Sequence, residues 1–244
     1  MFSAMHGVGS TAGFEKKLLF AEYYRKGYEL AKYVERIARR IDLDLDKCKI
    51  LEVPSGFGRV TRHLSTFCPK IRCADIDANM GPFLEKFGAS FTLLRPDDYE
   101  FKAITEQYDV VIMGSLVTHF NEKISRLLIN SALSKLRKQG ILIFTFHGER
   151  SYELIGGSDV YEVGLAGNAA LMASYEADEY GFVPYSLNHN MEKYTASIAP
   201  DWGISITPPV FWQNELGKHT LLDYQKGYWD DNQDIIAISK NDIQ

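Results

Sequence analysis

Hydrophobic positions in the first part of the chain recur with the period of a helix. Leu30, Val34, Ile37 and Ile41 follow one another at i, i+4, i+7 and i+11. This spacing places side chains on one face of an α-helix. We therefore predict an N-terminal helical segment over about residues 14–42.

Beyond this segment the pattern changes to short apolar runs separated by polar and helical stretches. The runs predicted as strands cover residues 49–53, 71–75, 90–94, 108–113 and 141–146. Between the last two strands, Asn121 is predicted to cap a helix that ends at Lys138, with Gly140 as its C′ glycine. Strands that alternate with helices predict an α/β fold with a parallel sheet and right-handed crossovers.

The alternation ends near residue 150, although the chain is predicted to form a single domain over residues 1–244. Residues 151–202 have weaker periodicity, and we predict that they form a cap or insertion over the sheet edge. The elements predicted after it are a strand at 204–207, a helix at 208–215, and strands at 219–224 and 234–239. The short polar turn near Asp230–Asn232 predicts that the last two strands form an antiparallel hairpin.

Composition and charge narrow the partners that this domain can have. The net charge is −5 with a sequence pI near 5.7, so a basic face for nucleic acid is not expected. No long apolar run predicts a membrane-spanning helix. The three cysteines have no metal-ligand spacing, and their odd number argues against a disulfide framework. We therefore expect a cytoplasmic protein without a bound metal.

The candidate chemistry lies where the first two strands end, because ligands of open parallel sheets bind beyond the carboxyl ends of the strands. Glu52 ends the first strand, and Gly56 and Gly58 would let backbone N–H groups approach a ligand. Asp75 ends the second strand, 17 residues after Gly58. A carboxylate there can accept hydrogen bonds from both hydroxyls of a ribose. Together these residues predict a cofactor that contains adenosine.

The glycine pattern also distinguishes between adenosine cofactors. A dinucleotide fingerprint has a third glycine, which this loop lacks. Glu52 would repel a pyrophosphate, but it could orient the ammonium group of S-adenosylmethionine (SAM). An NAD(P)-dependent oxidoreductase remains the alternative enzyme. A domain that binds a cofactor or a partner protein without catalysis remains the non-enzymatic alternative.

Residues 49–64, Lys-Ile-Leu-Glu-Val-Pro-Ser-Gly-Phe-Gly-Arg-Val-Thr-Arg-His-Leu, resemble the first motif of class I SAM-dependent methyltransferases. The similarity is to the branch with a Pro-Ser-Gly-x-Gly-Arg motif, and it covers roughly residues 20–150. It implies a Rossmann-like, seven-stranded, mostly parallel sheet with helices on both faces and an antiparallel edge hairpin. The cofactor-binding residues implied by the resemblance are Glu52, Pro54, Ser55, Gly56 and Gly58 at the methionine end, Asp75 at the ribose, Ile76 at the adenine, Asp97 or Asp98 at the adenine amine, and Gly114 and Ser115 at the floor.

The acceptor is less constrained by the sequence. Residues 113–119, Met-Gly-Ser-Leu-Val-Thr-His, lack the Asn/Asp-Pro-Pro-aromatic run of nucleobase amino-methyltransferases. Together with the acidic charge balance, this favours a small molecule or a sugar hydroxyl over DNA. An oxygen acceptor of high pKa can require a base. His119 after the fourth strand and His147 after the fifth are the candidates.

Overall fold

A computed structural model describes residues 13–185 and 201–241, with side chains of the first helix from residue 21 onward. Its strands are β1 (Lys49–Glu52), β2 (Lys70–Asp75), β3 (Ser90–Leu93), β4 (Tyr108–Met113), β5 (Leu136–Phe146), β6 (Gly181–Pro184), β7 (Gly203–Ile206), β8 (Thr220–Trp229) and β9 (Gln233–Ser239). Its α-helices are α1 (Gly13–Arg40), α2 (Thr61–Leu64), α3 (Gly81–Leu84), α4 (Glu122–Ser134), α5 (Glu149–Ile155), α6 (Gly164–Glu176) and α7 (Pro209–Glu215). Short 3₁₀ turns occupy Ala78–Met80, Glu85–Phe87 and Val117–His119.

Seven of the strands form one sheet in the order β3-β2-β1-β4-β5-β9-β8. The first five strands are parallel, and β9 runs antiparallel to both β5 and β8. The hairpin of β8 and β9 therefore closes one edge of the sheet. This arrangement confirms the predicted fold class, including the antiparallel edge hairpin.

Both faces of this sheet are covered by buried apolar side chains. Val111 and Met113 of β4 pack in the cluster that contains α4, whereas Val110 and Ile112 pack in the cluster that contains α1. Neighbouring residues of a strand point to opposite faces, so both sets of β4 side chains are buried. This double burial explains why β4 is a continuous apolar run in the sequence.

The boundary between α4 and β5 differs from the prediction. Asn121 does cap α4, since its side chain accepts a hydrogen bond from the Ile124 backbone N–H (3.0 Å). The helix, however, ends at Ser134 rather than Lys138, and Gly140 lies within β5 instead of at C′. Pairing of the β5 strand with β4 begins already at residue 136, so the tertiary pairing overrides local helix propensity. A Cβ at Gly140 would lie 3.2 Å from the backbone oxygen of Asp109, which explains the glycine.

The segment predicted as a cap contains α5, α6 and β6, while residues 186–200 of it lie outside the described residues. The strand predicted at 204–207 forms as β7, but it pairs with β6 in a separate two-stranded sheet. Ser205 of β7 donates to the backbone oxygen of Val117 (2.8 Å), which attaches this small sheet to the loop after β4.

Helix α1 packs against the β8–β9 turn and against the loop after β1 that contains Gly56 and Gly58, called the glycine loop below. Tyr23 donates from its hydroxyl to the backbone oxygen of Phe57 (3.1 Å), and the Trp229 indole donates to the backbone oxygen of Lys26 (2.7 Å). A Cβ at Gly27 would lie only 1.9 Å from the backbone oxygen of Arg59. Although α1 has 28 residues, neither it nor any other described helix is long and apolar enough to cross a membrane.

We predict that Gly27→Ala destabilises the protein. In a helix interior this exchange normally adds about 1 kcal/mol of stability, but here the new methyl group would overlap the Arg59 carbonyl. Overpacking of this kind costs about 1–3 kcal/mol, measurable by urea unfolding. Gly157→Ala is the control, because its nearest neighbour would be 3.8 Å away. Equal stability of Gly27→Ala and the parent would contradict the close packing of α1 on the loop.

Candidate functional site

A cavity of about 400 Å³ opens at the carboxyl ends of β1, β2 and β4, beneath α1 and the β8–β9 turn. Its lining comes from both halves of the chain. The lining residues are Lys26, Leu30, Glu52, Pro54, Ser55, Gly56, Phe57, Arg59, Val60, Asp75, Ile112, Gly114, Ser115, His119, Trp229, Asp230 and Gln233. The location is the one expected for a ligand of an open parallel sheet.

The loop after β1 depends on its two glycines. Gly56 and Gly58 have φ values of 52° and 74°, which side chains with a Cβ rarely adopt. A Cβ at Gly58 would also lie about 3 Å from the Phe87 ring and a Leu84 methyl group, so the glycine lets the loop pack against these side chains. Gly58 itself is not in the cavity lining. Pro54, which replaces the commoner glycine of the motif, follows a cis peptide bond and does line the cavity.

Asp75 connects the end of β2 to this loop. Its carboxylate accepts hydrogen bonds from the backbone N–H groups of Gly56 (2.9 Å) and Ile76 (2.7 Å). Burial raises the pKa of the carboxyl, and these backbone donors act in the opposite direction. Each carboxylate oxygen can accept more than one hydrogen bond, so Asp75 can hold the loop and still accept from a ribose hydroxyl.

Glu52 is the most deeply buried acid of the cavity, with 3% of its surface exposed. The Thr61 hydroxyl donates to its carboxylate (2.6 Å), and no cation among the described residues forms an ion pair with it. Burial raises the pKa of Glu52 to about 8, against the opposing effects of Thr61 and Arg59. The charged form would be stabilised by a cation entering the cavity.

In the loop after β4, the floor of the cavity is held by three polar residues that hydrogen-bond to one another. Thr145 donates from its hydroxyl to the Gln233 amide oxygen (2.6 Å), and the Gln233 amide nitrogen donates to the Ser115 hydroxyl (2.8 Å). The Ser115 N–H in turn donates to the Thr145 hydroxyl (2.8 Å). Ser115 has φ 55°, an unfavourable conformation for a residue other than glycine. A Cβ on the preceding Gly114 would lie 3.0 Å from the Trp229 ring.

His119 is the candidate base that lines the cavity. Its Nδ1 lies 2.6 Å from the Tyr185 hydroxyl. Burial lowers the pKa of His119 to about 4, against a hydrogen bond with the Gly203 backbone, so the ring is neutral at pH 7.

His147, the second candidate base, is absent from the cavity lining. Its Nδ1 is 2.9 Å from the backbone oxygen of Ser205, which makes Nδ1 the protonated nitrogen. The ring packs on Tyr161 with a centroid separation of 4.4 Å. Burial lowers the pKa of His147 to about 3, and the proximity of His119 contributes to this shift.

Three further predicted cofactor residues lie away from the described lining. Ile76 follows Asp75 in the chain, is 40% exposed and is not in the cavity lining. Asp97 forms an exposed ion pair with Arg95 (2.9 Å), and Asp98 accepts from the backbone N–H of Lys102 (2.9 Å). Neither Asp97 nor Asp98 is in the cavity lining, and their role at an adenine remains a prediction.

Several lining residues were not predicted from the sequence. Lys26 and Trp229 are far apart in sequence, and only the packing of α1 on the hairpin brings them together. Gln233 begins β9, for which the sequence predicted a strand but no place in the cavity. Arg59 did have a signal, because it follows Gly58 within the motif. Gly27 in a helix interior was a second available signal, since such glycines often mark a close backbone contact.

Comparison with solved structures supports the architecture. A magnesium protoporphyrin IX methyltransferase from Synechocystis PCC 6803 with bound SAM has a TM-score of 0.59 at 10% identity, over 98% of this chain and 89% of that one. A SAM-dependent methyltransferase from Clostridium acetobutylicum ATCC 824 has a TM-score of 0.58 at 12% identity, over 90% and 92%. The chain has the fold of these methyltransferases.

A third similar structure is the glycopeptide N-methyltransferase MtfA complexed with S-adenosylhomocysteine (SAH), with a TM-score of 0.56 at 12% identity. The similarity covers 87% of this chain and 89% of that one. No protein-family model matches the chain, and no curated protein matches it in sequence. At these identities the comparison establishes the fold, and the function has to be argued from the site.

We predict that His147 makes the folded protein sensitive to acid. Its folded pKa of about 3 lies below the unfolded value near 6.5. The unfolded chain therefore binds more protons below about pH 6.5, and the free energy of unfolding falls as the pH falls. This residue contributes a slope of up to about 1.4 kcal/mol per pH unit. Urea unfolding of parent and His147→Asn between pH 7.5 and 5.5 should show a flatter dependence in the variant; parallel curves would contradict it.

Proposed function

We propose that this protein is a SAM-dependent methyltransferase that acts on a small-molecule or glycan acceptor, with an oxygen as the methylated atom. The observation that carries the proposal is the arrangement around one cavity of the glycine loop, the buried carboxylate of Glu52 and the carboxylate of Asp75. The fold shared with SAM- and SAH-bound methyltransferases supports it.

The residues present fit SAM better than a dinucleotide. Glu52 is buried and has no cationic partner among the described residues, so an entering ammonium group would stabilise its charge. A dinucleotide carries no ammonium group for Glu52, and the loop lacks the third glycine of the dinucleotide fingerprint. Helix α2 has four residues, which gives a pyrophosphate only a short helix end to bind. These features disfavour the alternative of an NAD(P)-dependent oxidoreductase.

When bound, SAM supplies a methyl group on a positively charged sulfur. In the proposed complex Glu52 would hold the ammonium group, Asp75 the ribose, and the loop from Pro54 to Gly58 would contact the methionine end. Methyl transfer needs alignment of donor and acceptor, and alignment alone can lower a barrier by several kcal/mol. Helix α1 and the β8–β9 turn would exclude water from the cavity.

The acceptor would be oriented by the residues after β4 and at the start of β9. The hydrogen bonds of Thr145 and Gln233 leave one amide proton of Gln233 available, while the Ser115 hydroxyl also lies 3.4 Å from the Thr118 hydroxyl. A free amide donor of this kind favours an acceptor with oxygen lone pairs. His119, neutral at pH 7, would accept the proton of an acceptor hydroxyl. The proposed acceptor is a small molecule or a glycan, in the cytoplasm and with no nucleic acid, in keeping with the net charge of −5.

The first prediction concerns the cofactor. Calorimetric titration should show micromolar binding of SAM and SAH and no binding of NAD or NADP, because the loop lacks the third glycine of the dinucleotide fingerprint and a dinucleotide carries no ammonium group for Glu52. Binding of a dinucleotide would replace this proposal with the oxidoreductase. If SAM and SAH bind but no methyl transfer occurs across a sugar-led acceptor panel, the non-catalytic binding domain is favoured.

The second prediction concerns the proton on Glu52. Its folded pKa of about 8 lies above the ordinary value of 4.5, so stability associated with this group is lost as the pH rises through 8. Cofactor binding should ionise Glu52 and release a proton, so SAH affinity should rise several-fold between pH 6 and 7.5.

Calorimetry in two buffers of different ionisation enthalpy measures this release. Glu52→Gln should bind SAH more weakly, with little pH dependence over this range. Glu106→Gln, an exposed acid outside the cavity, is the control. Proton release that persists unchanged in Glu52→Gln would assign the proton to another group.

The third prediction separates the two histidines. His119→Ala should lower turnover about 100-fold while SAH affinity stays within a few-fold, as expected for loss of a positioned base. His147→Ala should keep most of the turnover, since His147 does not line the cavity. Near-full turnover in His119→Ala, measured as SAH formed with the identified acceptor, would exclude His119 as the base.

A further inference from the structure

The guanidinium of Arg59 lies at the same cavity and has no role in the chemistry described so far. Its central carbon lies 4.5 Å from the centroid of the Trp229 ring, a cation–π contact. The side chain forms no hydrogen bond or ion pair with any residue in ranges 13–185 and 201–241. Arg59 is partly buried, and burial lowers its pKa against the electrostatic attraction of Tyr23, Asp230 and Glu52.

A partly buried cation that forms no direct ion pair is unfavourable for the free protein. The other cation in the described lining is in a different situation, because Lys26 pairs with Asp230 at 2.5 Å. Arg59 is therefore the cation in this lining that is available to an incoming anion. Its planar fork can bind a carboxylate with two parallel hydrogen bonds.

The choice of anion follows from the other charge in the cavity. Glu52 and Arg59 attract one another electrostatically, yet they form no ion pair within 4.0 Å. One buried carboxylate and one guanidinium held apart at one cavity match a ligand that carries both charges, such as the ammonium and carboxylate of an α-amino acid. A pyrophosphate would satisfy Arg59, but it carries no ammonium group that would ionise Glu52.

We propose that Arg59 binds the α-carboxylate of the cofactor's methionine moiety while Glu52 binds its ammonium group. This inference rests on the proposed function, because it assigns one end of SAM. Recognition of both charges would make the amino-acid end of the cofactor contribute to its affinity in addition to the adenosine.

The surrounding structure holds Arg59 in place for this role. The Trp229 indole donates to the backbone oxygen of Lys26 (2.7 Å), which fixes the ring beneath the guanidinium. On the other side, the absence of a side chain at Gly27 lets α1 contact the Arg59 backbone and the start of its side chain. Little side-chain freedom remains to be lost when a carboxylate binds.

The test compares ligands that differ only at the amino-acid end. SAH carries the α-carboxylate, whereas 5′-methylthioadenosine keeps the adenosine and the thioether but lacks the amino-acid group. Arg59→Met, which keeps an apolar stem against Trp229, should weaken SAH binding about 10- to 100-fold. Its affinity for 5′-methylthioadenosine should stay within about twofold. Arg59→Lys should lose an intermediate amount, because it keeps the charge but not the fork.

A second pair of ligands isolates the carboxylate from the ammonium. SAM and decarboxylated SAM both carry the ammonium and the sulfonium. The parent should prefer SAM, and Arg59→Met should bind the two about equally. Arg36→Met is the matched control, because Arg36 also stacks on aromatic rings (Tyr33 and Tyr228) but lies outside the cavity. It should leave all four affinities unchanged.

Stability of the free protein gives an independent readout. Because Arg59 is partly buried and forms no direct ion pair, Arg59→Met without ligand should unfold at the same or a higher urea concentration than the parent. If Arg59→Met weakens SAH and 5′-methylthioadenosine equally, or weakens neither, Arg59 serves packing and the inference is wrong. If the parent itself fails to bind SAH and SAM, the proposed function is wrong and the inference falls with it.

Discussion

The position of β1 between two parallel neighbours is the constraint on which the cavity depends. Ile50 pairs with Ile71 of β2 on one side and with Val110 of β4 on the other. In parallel strands the carboxyl ends meet at one edge of the sheet, so the loops after β1, β2 and β4 converge. This register brings Glu52, Asp75 and Ser115 to one cavity although they are distant in sequence.

The convergence is held by backbone hydrogen bonds as well as by packing. Asp75 accepts from Gly56, so the glycine loop is tied to the end of the neighbouring strand. Helix α1 then covers the loop, and the Trp229 indole joins that helix to the edge hairpin. The cavity is thus enclosed by three segments that cannot move independently without breaking these contacts.

The cavity concentrates ionisable groups in states that do not favour folding. Burial raises the pKa of Glu52 and lowers those of Arg59 and His119, so each charged form is destabilised in the free protein. Ser115 adds an unfavourable backbone conformation. Such features persist where the surrounding core supplies enough stability, here two apolar clusters on opposite faces of the sheet. Perturbed pKa values of this kind are typical of functional sites.

Periodicity and local backbone chemistry in the sequence were enough to predict most of the fold. The strands from β1 to β5, the Asn121 cap and the edge hairpin each depend on residues close together in the chain. The candidate cofactor loop was predictable for the same reason, since Gly56 and Gly58 adopt conformations that favour glycine.

Other features depend on contacts between distant segments, which no local pattern encodes, and only the tertiary structure decided them. Pairing with β4 set the start of β5 and overrode the predicted helix end at Lys138. Pairing with β6 placed β7 in a separate sheet. Packing of the chain likewise brought His119 but not His147 to the cavity, and it enclosed Arg59 between α1 and Trp229.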